Sequence, residues 1–286
     1  MQQQPFAKPE SPSTAIGTLH ARIGTHTDCG QARDNNEDRL LVFDLNRGLA
    51  LASEETVVAA LQPGGLLLGV ADGMGGMIAG EVASQMCTEQ LPPYLLKRLQ
   101  QHPEAPSLDR RLALTEAIRE TSQFIYAWAA ADERRRGMGT TLTAALLAAE
   151  HLYVAQVGDS RAYLWRAGKL QQLTRDQTVW NSLSESGQVS LAGLGNAAWK
   201  HLLTQAVGAL PAIQVEITET ALQPDDWLLL CSDGLHRVVS PDEIAAILGA
   251  ETAPAEKARA LVARANQHGG PDNISVIVCQ LASISE

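Results

Sequence analysis

Helix-like segments in this chain come in pairs, and strand-like segments come in groups. Residues about 77–101 are rich in Ala, Glu, Gln and Leu, with a break expected at Pro92-Pro93. Residues about 108–132 set Leu112, Ile118, Ile125 and Trp128 at near-helical spacing, and "ERRRG" closes that segment with the basic residues and glycine that suit a helix C-terminus. A second pair lies further on. "SPDEIAAIL" has Ser240 at the N-cap, Pro241 at the first helical position and Glu243 three after the cap, and residues about 254–267 form another helix. Helices therefore do not alternate one for one with strands. That disfavours a parallel βαβ fold and predicts antiparallel sheets covered by helices, an α+β class.

The strand groups fill the intervals. "LHARIGTHTD" alternates apolar and polar residues, and "DRLLVFDL" reads as a second strand. "GLALAS" and "ETVVAAL" form either a hairpin or a covering loop, while the unbroken apolar run of "GGLLLGVAD" marks a strand buried on both faces. "GTTLTAALLAA", "HLYVAQVG", "SRAYLWRAG" and "KLQQLT" read as an antiparallel meander with a turn at "RAGKL". Residues about 176–209 are an irregular excursion with short helices; "IQVEIT", "DWLLLCSD" and "NISVIVCQL" are the last strands.

Composition bounds the class. With 286 residues, 45% hydrophobic and 19% charged, the chain can bury a globular core, and at 4% aromatic that core is aliphatic. Acidic residues outnumber basic ones 32 to 22, a formal charge of −10, which argues against nucleic-acid binding and suits a cluster of acids that hold cations. Cys29, Cys87, Cys231 and Cys279 are too widely spaced for a CxxC motif and read as reduced thiols of a cytoplasmic protein. "MQQQPFAKPESPSTA" lacks the layout of a signal peptide, and its Gln, Pro and Ser content predicts a disordered segment over 1–17 ahead of one folded domain over 18–283. No run approaches the ~18 apolar residues of a membrane span.

"GVADGMGG", Gly69 to Gly76, raises the chemical question. A glycine-rich turn between strand and helix often cradles phosphate with backbone N–H groups, yet Asp72 stands just before the glycines and a bare carboxylate repels phosphate. Other acids recur in the same setting: Asp38 before "RLLV", Asp233 ending "WLLLCSD", Asp272 before the last strand, and Asp159 between two strands in "AQVGDSRAY". Any one of them alone is an ordinary turn residue. As a set at strand ends they would repel one another unless hard divalent cations such as Mg²⁺ or Mn²⁺ sat among them. Glycine after Asp72 and Asp233 lets the backbone approach a metal, and the Gly73 carbonyl can itself be a ligand. Arg33 is either an anion-binding group or an exposed salt-bridging arginine.

"GQARDNNEDRLLV", "LGVADGMGGMIAGEVAS", "GMGTTLTAALL", "AQVGDSRAYLWRAGKLQQLTRDQT", "LLLCSDGLHRVV" and "GGPDNISVIV" occur in this order over about residues 24–280. Together they resemble the successive motifs of the PPM-type, or type 2C, metal-dependent Ser/Thr protein phosphatases in their bacterial form. The resemblance implies a four-layer α-β-β-α sandwich of two antiparallel sheets flanked by helix pairs. It implies that Asp72 bridges two Mn²⁺ or Mg²⁺ ions, that the Gly73 carbonyl completes one of them, and that Asp233 and Asp272 bind the other. Glu37 and Asp38 would hold the first ion's waters or ligate it, Arg33 would grip the substrate phosphate, and Asp159 matches a third-metal position. The implied reaction is hydrolysis of phosphoserine and phosphothreonine in proteins by a metal-activated water, with no protein nucleophile. The implied partners are phosphorylated proteins and a Ser/Thr protein kinase or its substrates, and the expected state is a monomer.

Departures from the family pattern matter. Met74 stands where animal members carry a histidine as a general acid, so no protein general acid is assigned. Arg237 replaces an aspartate of animal members, and a cation there weakens or replaces a third metal. Residues 47–63 form an insertion, either a hairpin near the active face or a surface addition. Residues about 176–205 match the family's variable flap, where Trp180 and Trp199 either touch substrate or pack within the flap.

Rival readings are weaker. "CSDGLHR" fits the C-x5-R pattern of cysteine-dependent phosphatases through Cys231 and Arg237, but Asp233 would then lie inside the phosphate cradle. "GMGG" lacks the third glycine of a dinucleotide fingerprint, since Ile78 takes its place, and "GMGTT" lacks the P-loop lysine. A non-catalytic phosphoprotein-binding scaffold on the same fold is the remaining alternative.

Overall fold

The computed structural model describes residues 19–51, 56–74, 79–101, 107–148, 150–185 and 201–283. The expected disordered segment 1–17, Gly75 to Ile78, and residues 186–200 of the expected flap with Trp199 lie outside the described residues. All described strand pairs are antiparallel. One sheet is built from β1 (Leu19–Asp28), β4 (Val57–Ala60), β9 (Arg161–Arg166), β10 (Lys169–Gln172), β12 (Trp227–Cys231) and β13 (Ile274–Ser283), in the order β10-β9-β12-β13-β1-β4. The other is built from β2 (Asp38–Asp44), β3 (Leu49–Ala50), β5 (Leu66–Met74), β7 (Leu142–Ala148), β8 (His151–Val157) and β11 (Glu216–Ala221), in the order β11-β8-β7-β5-β2-β3, with β6 (Gly139–Thr140) on the end of β5.

The period-two geometry of a strand explains why so many strands read as continuous apolar runs. Along β12, Leu228 and Leu230 face the other sheet, while Trp227, Leu229 and Cys231 face the helices. Along β13, Ile277, Cys279 and Leu281 turn inward, and Ile274, Val276 and Val278 turn outward. Helices α1 (Ala79–Gln101) and α2 (Ser107–Ala130) cover the second sheet through Leu91, Leu95, Leu114, Ile118 and Ile125. Helices α5 (Pro241–Gly249) and α6 (Pro254–Gln267) cover the first through Ile244, Leu248, Leu261 and Val262. Two short helices, α3 (Val179–Glu185) and α4 (Asp233–His236), lie in the connections. The result is the expected four-layer α-β-β-α sandwich. The capping box at α5 forms as read: the Ser240 hydroxyl accepts from the Glu243 N–H at 3.3 Å, and Glu243 accepts from the Ser240 N–H at 2.9 Å.

Several local expectations change. Pro92 and Pro93 do not break α1, because Leu91 and Leu95 on either side are fully buried and hold it on the sheet. Leu112 is 58% exposed, since six residues separate it from Ile118 and six residues carry it round the helix away from the buried face. "ERRRG" does not close α2, which ends at Ala130; Glu133–Arg135 form a separate single turn capped by Asp132. The "GLALAS" and "ETVVAAL" segments do not form a hairpin. β3 pairs with β2, whereas β4 pairs with β1 in the opposite sheet. Both contacts fall at the ends of β1 and β2 remote from Asp28 and Asp38. The meander also splits. β7–β8 and β9–β10 are hairpins, but Gly158-Asp159-Ser160 carries the chain from one sheet to the other, with Gly158 at φ +101°. Only the "RAGKL" turn keeps its expected role, with Ala167 and Gly168 both left-handed as a two-residue hairpin turn requires.

Lys257 on α6 is fully buried beneath α5. Its ammonium donates to the carbonyls of Ile247 at 3.1 Å and Leu248 at 2.7 Å, and also to that of Ala250, so it closes the C-terminal end of α5; it lies 4.2 Å from the Trp227 ring centroid. Lys257→Met keeps the stem but strips those carbonyls of their donor. It is expected to lower unfolding free energy by about 2–4 kcal/mol in a denaturant titration. A loss of less than ~0.5 kcal/mol would mean that water replaces the ammonium.

Candidate active site

Strand pairing brings the predicted acids to one end of the sandwich. Asp38 and Asp72 are direct cross-strand partners on β2 and β5. β12 ends two residues before Asp233, and β13 begins two residues after Asp272; these strands are antiparallel, with Cys231 opposite Val276, so both acids emerge at the same end. The end of β1 pairs with the start of β13, Asp28 opposite Ile274, which places the loop bearing Arg33 beside them. The sheet-to-sheet crossover adds Asp159. A cavity of about 310 Å³ opens there, walled by Arg33, Glu37, Asp72, Asp159, Asp233 and Asp272. Gly73 and Met74 also face it. Asp38 is 2% exposed and stands behind Asp72, not on the wall.

Each acid is held through the backbone around it. Asp72 is fixed by its N–H to the Thr141 hydroxyl (3.1 Å) and by its carbonyl, which accepts from the Thr141 N–H and the Thr140 hydroxyl, both at 2.9 Å. The Ser232 hydroxyl donates to Asp38 Oδ2 at 2.7 Å and accepts from the Ser275 N–H at 3.0 Å. Asn273 ties three backbone groups together: its Oδ1 accepts from the Glu37 N–H (2.9 Å), and its Nδ2 donates to the carbonyls of Cys29 (3.0 Å) and Asn35 (2.8 Å). Gln156 Nε2 donates to the carbonyls of Gly158 at 2.9 Å and Ser160 at 2.7 Å, pinning the turn that carries Asp159.

The two Asp-Gly glycines are required for close backbone approach. A Cβ on Gly73 would stand 2.3 Å from the Gly80 carbonyl oxygen, and one on Gly234 would stand 2.0 Å from that of Asn273.

Electrostatically the site is a concentration of unreleased negative charge. Burial, then the nearby Asp233, Asp38, Asp159 and Asp272, pushes the Asp72 carboxyl well above its ordinary range. Burial and Asp159 push Asp233 up to about 7 against the pull of Arg237, and burial pushes Asp38 up to about 6. Glu37 and Asp159 are also raised by burial, opposed by Arg33 and Arg237 respectively. Asp38 Oδ1 and Asp233 Oδ1 are buried with no hydrogen-bond partner. Orphaned carboxylate oxygens beside a cavity lined with more carboxylates fit hard divalent cations, which take oxygen ligands. Among the described residues no three His, Cys, Asp or Glu side chains already converge on one point. The acids are instead drawn to arginines: Arg33 Nη2 lies 2.8 Å from Asp272 Oδ2, and Arg237 pairs with Asp233 and, at 3.2 Å, with Asp159 Oδ2.

The C-x5-R alternative finds no nucleophile. Cys231 is fully buried on the helix side of β12, burial pushes its thiol up to about 12, and Arg237 is engaged by the two aspartates. Trp180 and Arg237 line a neighbouring cavity of about 410 Å³, beyond the acidic one. Sequence reasoning assigned no role to Ser232, Asn273, Thr141 or Gln156. Ser232 and Asn273 adjoin predicted acids, and buried polar residues flanking a strand-end aspartate were the available signal; Thr141 and Gln156 act across strands and gave none.

The comparisons agree with this geometry. Residues 55–267 match the family model described as protein phosphatase 2C. The chain is 35% identical over 262 residues, 92% of this chain and 96% of the relative, to a protein of Listeria monocytogenes named serine/threonine phosphatase stp. It is 36% identical to serine/threonine protein phosphatase PstP of Mycobacterium tuberculosis over 82% of this chain and 44% of that one. Among solved structures it resembles the catalytic domain of PstP in complex with 2 manganese ions, at 33% identity and TM-score 0.70, covering 93% of this chain and 100% of that one. A sandwich of this topology, with its acids gathered at one end and a family match across most of the fold, has one explanation: the chain belongs to the protein phosphatase 2C family.

Proposed function

We propose that this chain removes phosphate from phosphoserine and phosphothreonine in proteins with the help of two Mn²⁺ or Mg²⁺ ions. The observation that carries this reading is the cavity of about 310 Å³ itself, where five carboxylates, Asp233 with its orphaned oxygen among them, share the wall with Arg33. Asp72, the Gly73 carbonyl, Asp233 and Asp272 would hold the ions, with Glu37 on the same wall and Asp38 behind Asp72 as direct or water-mediated ligands. Asp159 remains the candidate for a third ion, which would have to displace Arg237 from its carboxylate. When bound, such ions lower the pKa of water and neutralise phosphate charge. The chain's own residues do the rest. Arg33, with a side chain 54% exposed beside Asp272, would bind the phosphate oxygens once Asp272 served as a ligand. Ser232 and Asn273 keep the acids and the Arg33 loop in register. Residues 176–185 and 201–205, the described parts of the expected flap, would shape access.

The substrates are phosphorylated proteins, with a Ser/Thr protein kinase or its targets as the natural partner, and the protein acts as a monomer in the cytoplasm. Among the described residues no helix is long and apolar enough to cross a membrane. The test is phosphate release from a phosphothreonine peptide. It is expected to require Mn²⁺ or Mg²⁺, to stop in EDTA, and to persist in Cys231→Ser. Folded protein that releases no phosphate with any divalent cation would favour the phosphoprotein-binding scaffold instead.

A further inference from the structure

The acidic cavity is lined, among the described residues, by five carboxylates, two guanidinium groups and one imidazole, that of His201. A serine or threonine alkoxide is a poor leaving group and needs a proton as the P–O bond breaks. Met74 supplies none. The arginines hold their protons too tightly. The Thr141 hydroxyl is committed to the Asp72 N–H and, at 2.7 Å, to Ser160. The carboxylates act as ligands only when ionised. His236 lines the neighbouring cavity, where burial lowers its pKa to about 3 and its Nε2 hydrogen-bonds the Asp159 carbonyl at 2.9 Å. Imidazole is the side chain whose ordinary pKa lies near neutrality.

We propose that His201 is the proton donor to the leaving serine or threonine oxygen. This rests on the phosphatase reading above.

The position suits the role. His201 lines both the acidic cavity and its neighbour, and Asp159 and Arg237 are shared between the two. It is held there by backbone pairing. Leu202 accepts from the Val179 N–H at 2.8 Å, Thr178 and Leu203 form an isolated bridge, and the Thr204 N–H donates to the Gln177 carbonyl at 2.8 Å. Gln177 in turn bonds Gly158 twice, N–H to carbonyl and side chain to N–H, each at 2.9 Å. The backbone that follows His201 is thus tied to the turn that carries Asp159. In an in-line displacement the leaving oxygen departs opposite the attacking water. His201, Leu202 and Leu203 line the cavity from the segment after α3, separate from the sheet ends that bring in the acids.

The balance is simple. The water oxygen bonds to phosphorus to give inorganic phosphate as the bond from phosphorus to the side-chain oxygen breaks, and that bond's electron pair stays on the side-chain oxygen. The imidazolium proton moves to it and gives a neutral alcohol. The proton shed by the attacking water returns through solvent to the imidazole.

A phenolate with a strongly withdrawing group leaves unaided, so substrate chemistry separates proton donation from structure. His201→Gln is expected to lower kcat on a phosphothreonine peptide about a hundredfold more than it lowers kcat on p-nitrophenyl phosphate. His201→Asn is expected to do the same. Across a series of aryl phosphates, either variant is expected to depend more steeply on leaving-group pKa than the wild type. Equal losses on both substrates, or no loss, or parallel leaving-group slopes, would overturn the assignment while leaving the phosphatase reading intact. A wild type that hydrolyses neither substrate with Mn²⁺ would overturn both. If His201→Gln does not fold, the His201→Asn slopes decide.

Discussion

Asp72→Asn is expected to lower kcat on a phosphothreonine peptide by about 10³-fold or more, equivalent to about 4 kcal/mol of lost transition-state stabilisation. Asp233→Asn is expected to match it. Both residues share one cavity and one field: Asp72 is held above its ordinary ionisation range by burial and by four other aspartates, Asp233 among them. Neither is a packing residue, and removing a charge from this cluster relieves repulsion. The melting temperature of Asp72→Asn in EDTA is therefore expected to be no lower than that of the wild type. The wild type alone should gain stability on adding Mn²⁺, by about 2.7 kcal/mol at a hundred times the dissociation constant. A variant with the wild-type rate would remove Asp72 from the centre. A variant that melts many degrees lower in EDTA would make it a structural residue.

Gly234→Ala is expected to damage both the fold and the site. The added carbon would meet the Asn273 carbonyl oxygen at 2.0 Å and its carbonyl carbon at 2.9 Å, both backbone atoms that have no rotamer to escape into. Gly234 lies in α4 between Asp233 and the buried Leu235, and Asn273 is the residue that fixes Glu37, Cys29 and Asn35. Relief requires β13 to move away from α4, and with it Asp272 and the Arg33 loop. The expected outcome is a loss of about 3 kcal/mol or more in stability together with weaker Mn²⁺ binding by titration calorimetry. Unchanged stability and unchanged affinity would show that the two segments have slack between them.

The two predictions also mark how far the sequence could be read. The acids were legible because each stands beside an apolar run, and a strand buried on both faces declares its ends by composition alone. The glycines were legible as special, but the backbone that packs against them was not. That Gly234 yields to the carbonyl of Asn273, 39 residues away in the chain, follows only from the pairing of β12 with β13.

Local chemistry within a few residues was thus settled by the chain alone: the α5 capping box, the two-residue turn at Ala167-Gly168, the apolar strands and the recurring strand-end aspartates. Partnership was not. Whether β8 and β9 share a sheet, whether β3 and β4 form a hairpin, and which face of α2 is buried depend on contacts between distant segments, which local spacing does not encode. The same holds for the site. The sequence determined which residues can carry charge. Only the tertiary structure decided that Asp38 stands behind Asp72 across the β2–β5 pair, that Arg237 reaches Asp159 as well as Asp233, and that His201 lines the same cavity, because a side chain's electrostatic surroundings are set by what folds against it.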